Sequence, residues 1–227
     1  MTVELEPGQR RLRRHEETRE QIVALAIDIM ESEGVAGLSL GAVARRMGIR
    51  TPSLYTYFDS KSALYDELFR RGWQECHDEV RAHSERLGKI TPKTDIAARL
   101  QALQATFIRW ALNHPALSQL MFLRPVPAWE PTQEAYQAAV QFLGLLAVEI
   151  HEYQDQGLLR PDADPEEMII NLTTVGTGVI ASQLANEPGV PYEQGRATRH
   201  SPALFHAVIQ HYLPEESHHE PDLDPRR

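Results

Sequence analysis

Residues 39–58 read SLGAVARRMGIRTPSLYTYF, and their punctuation predicts a short helix, a glycine turn and a second short helix. Ser39 is a candidate N-cap, Val43 and Met47 stand one turn apart as an apolar edge, and Ala44 is small enough for close helix contact. Gly48 can take the left-handed conformation that ends a helix. Ala42 stands where a glutamate or glutamine would complete a capping box, so the serine cap works alone. The second helix gains an N-cap oxygen from Thr51 and a first-turn proline, Pro52, whose missing N–H costs nothing there. At roughly 100° per residue from Pro52, Leu54 falls near ~200° and Phe58 near ~240°, which defines a buried side. Thr56, at about 40°, points outward with Pro52 and Ser53 flanking it and Tyr55 and Tyr57 on the two shoulders. A polar ridge of this kind fits the major groove of DNA, with the tyrosine hydroxyls in reach of phosphates on its walls.

Cations surround the ridge. Arg45 and Arg46 fall on the exposed side of the first helix and Arg50 in the turn, although a solvated face is the plain alternative for such a pair. Lys61 follows Asp59 and Ser60, either of which can cap a helix that begins near Lys61. A cation in a first turn opposes the helix dipole at a cost of roughly 0.3–1 kcal/mol, and a DNA phosphate held by the ammonium and the backbone N–H groups reverses that sign. Simple tolerance at the surface is the other reading. Residues 1–15 read as a flexible basic arm, because residues 1–9 are polar and broken by Pro7-Gly8. Its Arg10-Arg11-Leu12-Arg13-Arg14 run can enter a minor groove or follow the backbone, or remain a solvated tail.

From about Glu16 to Cys76 the chain closely resembles the DNA-binding domain of the TetR family of bacterial transcriptional regulators. The residues that carry the likeness are Ile22, Ala26, Glu33-Gly34, Leu38-Ser39, Val43-Ala44 and Met47-Gly48-Ile49. Above all there is the string Pro52-Ser53-Leu54-Tyr55-x-Tyr57-Phe58-x-x-Lys61-x-x-Leu64. The resemblance implies that Thr51, Pro52, Ser53, Tyr55, Thr56 and Tyr57 are recognition-helix positions, that Lys61 binds phosphate, and that Ser39 caps and touches the DNA backbone. Gly41 departs from members that read a base there, which leaves that role to Arg45, Arg46 or the main chain. Trp110-Ala111-Leu112 with His114-Pro115 also resembles a subgroup whose ligand domain carries a Trp-His-Gly signature; that tripeptide is absent here.

Charge agrees with a divided molecule. Up to Lys61 there are nine basic and nine acidic residues, so the net −9 of the chain lies wholly beyond it, as 14 basic against 23 acidic. An acidic protein still binds DNA when its basic groups converge on one face. The chain has 227 residues, 42% of them hydrophobic, which suffices for one extended or two small domains with a proper core. A single cysteine, Cys76, excludes an internal disulfide framework and suits a reducing cytoplasm. No apolar signal core opens the chain and no run approaches the ~20 apolar residues of a membrane span, so a soluble cytoplasmic protein is expected.

Helical spacing continues throughout, which predicts an all-α protein of about nine helices. Expected helices cover residues 61–87, 94–113, 116–123, 132–156, 166–186 and 202–213, separated by Gly and Pro breaks. Residues 16–76 then form the reading head, 77–213 a ligand-binding and dimerisation body, and 214–227 a disordered tail. His218-His219 in that tail is at best a weak metal site, and no cofactor or metal is expected.

The family implies that the last two long helices form a four-helix dimer interface. Gly176, Gly178, Ile180, Gln183, Leu204 and Val208 are its candidates, since each glycine lowers helix propensity by ~1 kcal/mol and makes sense where another backbone comes close. A dimer also follows from a short recognition helix, which touches few bases unless two-fold pairing doubles them on a palindromic operator. Phe107, Trp110, Met121, Phe122, Trp129, Tyr136 and Phe142, with polar Thr173, Thr174 and Thr177, suggest a mostly apolar pocket for a small-molecule effector. Ordinary core packing and back-bonded helix threonines remain the alternative for any one of them. The expected role is a repressor released by ligand. An all-α enzyme would need a catalytic constellation, and the sequence has neither H-E-x-x-H nor a phosphate-cradling glycine loop. An interaction module without DNA binding would show damage within residues 51–61, which look intact.

Overall fold

The computed structural model describes residues 7–214 and is all-helical, with nine α-helices and one 3₁₀ turn among the described residues. Helix α1 (Pro7–Glu33) buries Ile22, Val23, Ala26, Ile29 and Met30 at helical spacing and stops at Gly34, whose φ of 80° is left-handed. A 3₁₀ turn (Val35–Gly37) leads into α2 (Leu40–Met47), capped at one end by Ser39, which accepts from the Ala42 N–H at 3.1 Å, and at the other by Gly48 at φ 67°. Helix α3 (Thr51–Leu54) is a single turn, and α4 (Lys61–Leu87) begins where the Ser60 hydroxyl accepts from the Ala63 N–H. Leu64, Leu68, Gly72, Cys76 and Val80, four apart, form the buried spine of α4. At 27 residues it spans about 40 Å. It belongs to both halves of the molecule.

The body is built on that spine. It comprises α5 (Ile96–Asn113), α6 (Pro115–Phe122), α7 (Gln133–Asp155), α8 (Pro165–Asn186) and α9 (Arg196–Gln210). Asp95, Thr132 and Asp164 supply N-cap oxygens for α5, α7 and α8. α4 packs chiefly on α7 and α5, and α8 on α9 and α5. Gly72 lets α6 come close, because a Cβ there would lie 2.6 Å from Met121 Sδ.

Two boundaries differ from the sequence reading. Residues 7–15, expected as part of a flexible arm, are the opening turns of α1, with Pro7 as its first residue; an Arg13–Glu17 ion pair and a Thr18 hydroxyl on the Arg14 carbonyl support that stretch. α9 begins at Arg196 rather than Pro202, which sits inside it. The proline cannot donate to the Thr198 carbonyl, and the Ser201 hydroxyl does so instead at 2.8 Å. The remainder of the expected arm, residues 1–6, and the tail from residue 215 with His218-His219 lie outside the described residues.

Candidate functional site

The ridge comes from the α2–α3 unit, and its hold is local. Leu54 and Phe58 are buried, as the wheel requires, and Pro52, Ser53, Tyr55 and Thr56 are exposed. Two details correct the expectation. Thr51 is the first helical residue and not the cap; the extended residue before it is Arg50, which makes no side-chain cap bond. The chain also leaves the helix at Tyr55, and the Thr56 hydroxyl turns back to donate to the Ser53 carbonyl at 2.7 Å, so its proton is already engaged. Tyr57 is half-buried: its ring stacks on His15 with centroids 4.7 Å apart, and its carbonyl accepts from Arg19 at 3.4 Å. His15 and Arg19 lie about 40 residues upstream in sequence, and no local pattern announces them.

The cations divide. Arg46 reaches back to the Ser32 hydroxyl at 3.1 Å and to Glu33, so it closes α2 on the end of α1. Arg45 and Arg50 are exposed and make no ion pair within the described residues. Lys61 occupies the first turn of α4 with its ammonium 5.1 Å from the Tyr65 ring. Ser39 is exposed at its cap. Gly41 has open space where a side chain would stand.

Behind the ridge lies a charged network between α1 and α4. Glu67, buried, accepts from Arg19 at 3.2 Å, Arg70 at 2.7 Å and Arg71 at 3.2 Å, while Arg71 also grips Glu20. Burial alone would raise the Glu67 pKa, but the Arg70 and Arg71 hydrogen bonds and the nearby positive charge outweigh it and hold the carboxyl below its ordinary value. Hydrogen bonding to Arg71 lowers Glu20 likewise. Tyr65 closes the head by donating to the Val35 carbonyl at 2.8 Å.

In the body, a narrow cavity of about 30 Å³ lies between α4, α5, α7 and α8. Phe107, Phe142 and Thr173 line it as expected, together with Val80, Ser84, Leu103, Gln104, Leu145, Leu146 and Glu149. Met121, Trp129 and Tyr136 instead border a second cleft with Phe69, Leu120 and Arg124, where the Trp129 indole N–H donates to Asp66. Trp110 is core, stacked on His114 one turn on, and Phe122 fills the gap between the Trp73 and Phe107 rings. Thr174 is exposed and Thr177 half-buried, and both lie outside the two cavities. The Thr173 hydroxyl donates to the Ile169 carbonyl, the back-bonding alternative. Ser84, Gln104 and Glu149 escape sequence reading, because polar residues on an amphipathic helix show their burial only after packing.

The interface candidates sort the same way. Gly176 faces its own α5, where a Cβ would meet Gln104 Oε1 at 3.1 Å and Phe107 Cε1 at 3.3 Å. Ile180 and Gln183 are buried within the chain. Gly178 and Leu204 are exposed and Val208 half-buried, so these three remain on an outer face, beside Ile170, which is 62% exposed. Against the expectation that no run approaches a membrane span, α8 is long and apolar enough to cross a bilayer on length and composition; in the structure it packs against α5, α7 and α9.

These features define a helix-turn-helix head joined through one long helix to a cavity-bearing helical body. The profile described as "Bacterial regulatory proteins, tetR family" matches residues 22–68, and that described as "Tetracyclin repressor-like, C-terminal domain" matches residues 100–212. The chain belongs to the TetR family of transcriptional regulators. Among curated relatives, an uncharacterized HTH-type transcriptional regulator of Bacillus subtilis is 29% identical over 107 residues, 47% of this chain and 52% of that protein. An HTH-type transcriptional regulator of Mycobacterium bovis is 28% identical over 139 residues, 59% of this chain and 58% of that one. The chain thus spans between half and three-fifths of the length of these relatives. A putative TetR-family regulator from Mesorhizobium loti shares the fold with a TM-score of 0.67 at 17% identity, over 88% of this chain and 99% of that one. FadR of Bacillus subtilis, solved with stearoyl-CoA, does so at 0.65 and 13%, over 84% and 97%.

Proposed function

We propose that the protein is a homodimeric, sequence-specific repressor of transcription in the bacterial cytoplasm. It binds a palindromic double-stranded operator and leaves it when a small-molecule effector enters the cavity between α4, α5, α7 and α8. The observation that carries this reading is the set of cations with no carboxylate partner among the described residues around the one-turn ridge, Arg45, Arg50 and Lys61, beside the exposed Pro52, Ser53 and Tyr55. Cations at the ridge's edges suit phosphates, while the polar ridge suits base edges.

Two-fold pairing through α8 and α9 places two ridges in successive major grooves, which is why the operator is palindromic. Lys61 and Ser84 stand on the same helix, about 35 Å apart along its axis, so an effector that shifts α4 at the cavity respaces the heads. A 100-fold preference of the effector for the DNA-free state corresponds to ~2.7 kcal/mol of coupling.

The test is selection of bound duplexes from a random pool followed by a salt titration. A palindromic consensus with steeply salt-dependent affinity is the expected result. A flat response without sequence preference would turn the reading toward a protein-interaction module.

A further inference from the structure

The cavity's polar lining restricts what can occupy it. Its one ionic group is already answered: Glu149 accepts from Arg99, from the Tyr153 hydroxyl at 2.8 Å and from the Ser84 hydroxyl at 3.0 Å. Arg99 directs its other N–H groups to the Gly88 carbonyl at 2.8 Å and the Ser84 hydroxyl at 2.9 Å. Both charged residues are buried, and neither is left over for a charged guest. Thr173 donates within its own helix.

Gln104 is the exception. It is only 7% exposed, lines the cavity, and its carboxamide makes no hydrogen bond within the described residues. The opposing helix makes room for it: any residue larger than glycine at 176 would put a Cβ 3.1 Å from its Oε1. Its polar atoms are not among the buried side-chain atoms left without a partner, so water still reaches them from the cavity; a guest that displaces this water must supply the hydrogen bond itself or leave the amide unpaired.

We infer that the cavity, which widens from this narrow form to admit a guest, selects an uncharged, largely apolar ligand whose single amide or hydroxyl group pairs with the Gln104 carboxamide. Carboxylates and ammonium compounds of the same body are rejected, because either would be buried without a counter-charge. This inference rests on the reading that the cavity is the effector site, and it deepens that reading by naming the ligand class.

The test uses the full chain and a matched probe set, naphthalene, 2-naphthamide, 2-naphthol, 2-naphthoate and 2-naphthylmethylammonium, titrated calorimetrically near neutral pH. Wild-type protein should bind 2-naphthamide about tenfold more tightly than either naphthalene or 2-naphthoate, and Gln104→Leu should erase that preference while keeping naphthalene affinity. Gly176→Ala, which crowds the amide without removing it, should narrow the preference. Equal binding of 2-naphthoate or the ammonium compound, or an undiminished amide preference in Gln104→Leu, overturns the inference and leaves the cavity as a less selective site. Failure of all five probes to bind wild-type protein overturns the cavity reading, and the ligand class with it.

Discussion

Arg19 of α1 donates to Glu67 of α4 at 3.2 Å while its guanidinium lies 4.5 Å over the Phe58 ring and reaches the Tyr57 carbonyl. One side chain therefore ties the long helix to the last residues of the reading element. α3 is a single turn, too short to hold itself in water, so its orientation depends on such tertiary ties.

Glu67→Gln removes the charge that three arginines share. The folded protein should lose about 1–3 kcal/mol, since hydrogen bonds to a charged group are being weakened at a site that water reaches only in part. Operator affinity should fall for all sequences alike, because the ridge is loosened and not rewritten. Thermal melts alongside gel shifts check both; a selective change in preferred bases would show that Glu67 acts on readout.

The same network sets an acid limit. Glu20 and Glu67 have folded pKa values below the ordinary 4.5, so the folded state binds fewer protons than the unfolded chain as the pH falls past that value. Their contribution to stability is complete above about 4.5 and disappears as the pH drops through the folded values. Melting temperature followed into acid should fall with a shallower slope in Glu67→Gln than in wild type. Identical slopes would mean that other carboxylates govern acid unfolding.

The division of the cations predicts unequal salt effects. Lys61→Ala and Arg50→Ala should each reduce the slope of log affinity against log salt by about 1, as expected for one lost phosphate contact. Arg46→Ala should change that slope less, because Arg46 is engaged with Ser32 and Glu33. Equal slopes for all three variants would put Arg46 on the DNA as well. Ser53 and Tyr55, exposed and unengaged, are the positions whose replacement should change base preference; Thr56 joins them only through its remaining acceptor capacity.

What the sequence made legible is what local chemistry decides. The Ser39 cap, the Gly48 stop and the full extent of α4 follow from neighbours within one turn, and the structure places them as read. The Arg19–Glu67 and Arg99–Glu149 pairs join residues 48 and 50 apart, and nothing in a one-dimensional pattern couples them. The start of α9 was hidden because Pro202 reads as a helix opener until Ser201 is seen to serve the carbonyl the proline abandons. Of the glycine pair on α8, Gly176 meets side chains of its own α5 and not another backbone, while Gly178 meets nothing within the described residues, and spacing alone does not separate the two cases.

That last distinction is testable through Gly176, Gly178 and Leu204. A Cβ at Gly178 would meet nothing within 4 Å, so Gly178→Ala should stabilise α8 by up to ~1 kcal/mol in an isolated protomer through helix propensity. Gly176→Ala gains the same propensity but presses on Gln104 and Phe107, and overpacking of about 1–3 kcal/mol makes the net change a loss. Only 33% of the most apolar stretch of α8 is buried within the chain, and Ile170 and Leu204 stand 62% and 50% exposed, so a covering partner is the simplest explanation for that face. Leu204→Arg should therefore yield monomers on analytical ultracentrifugation with helical content intact, and should weaken operator binding by separating the two heads. A Leu204→Arg protein that stays dimeric would move the interface away from the α8–α9 face.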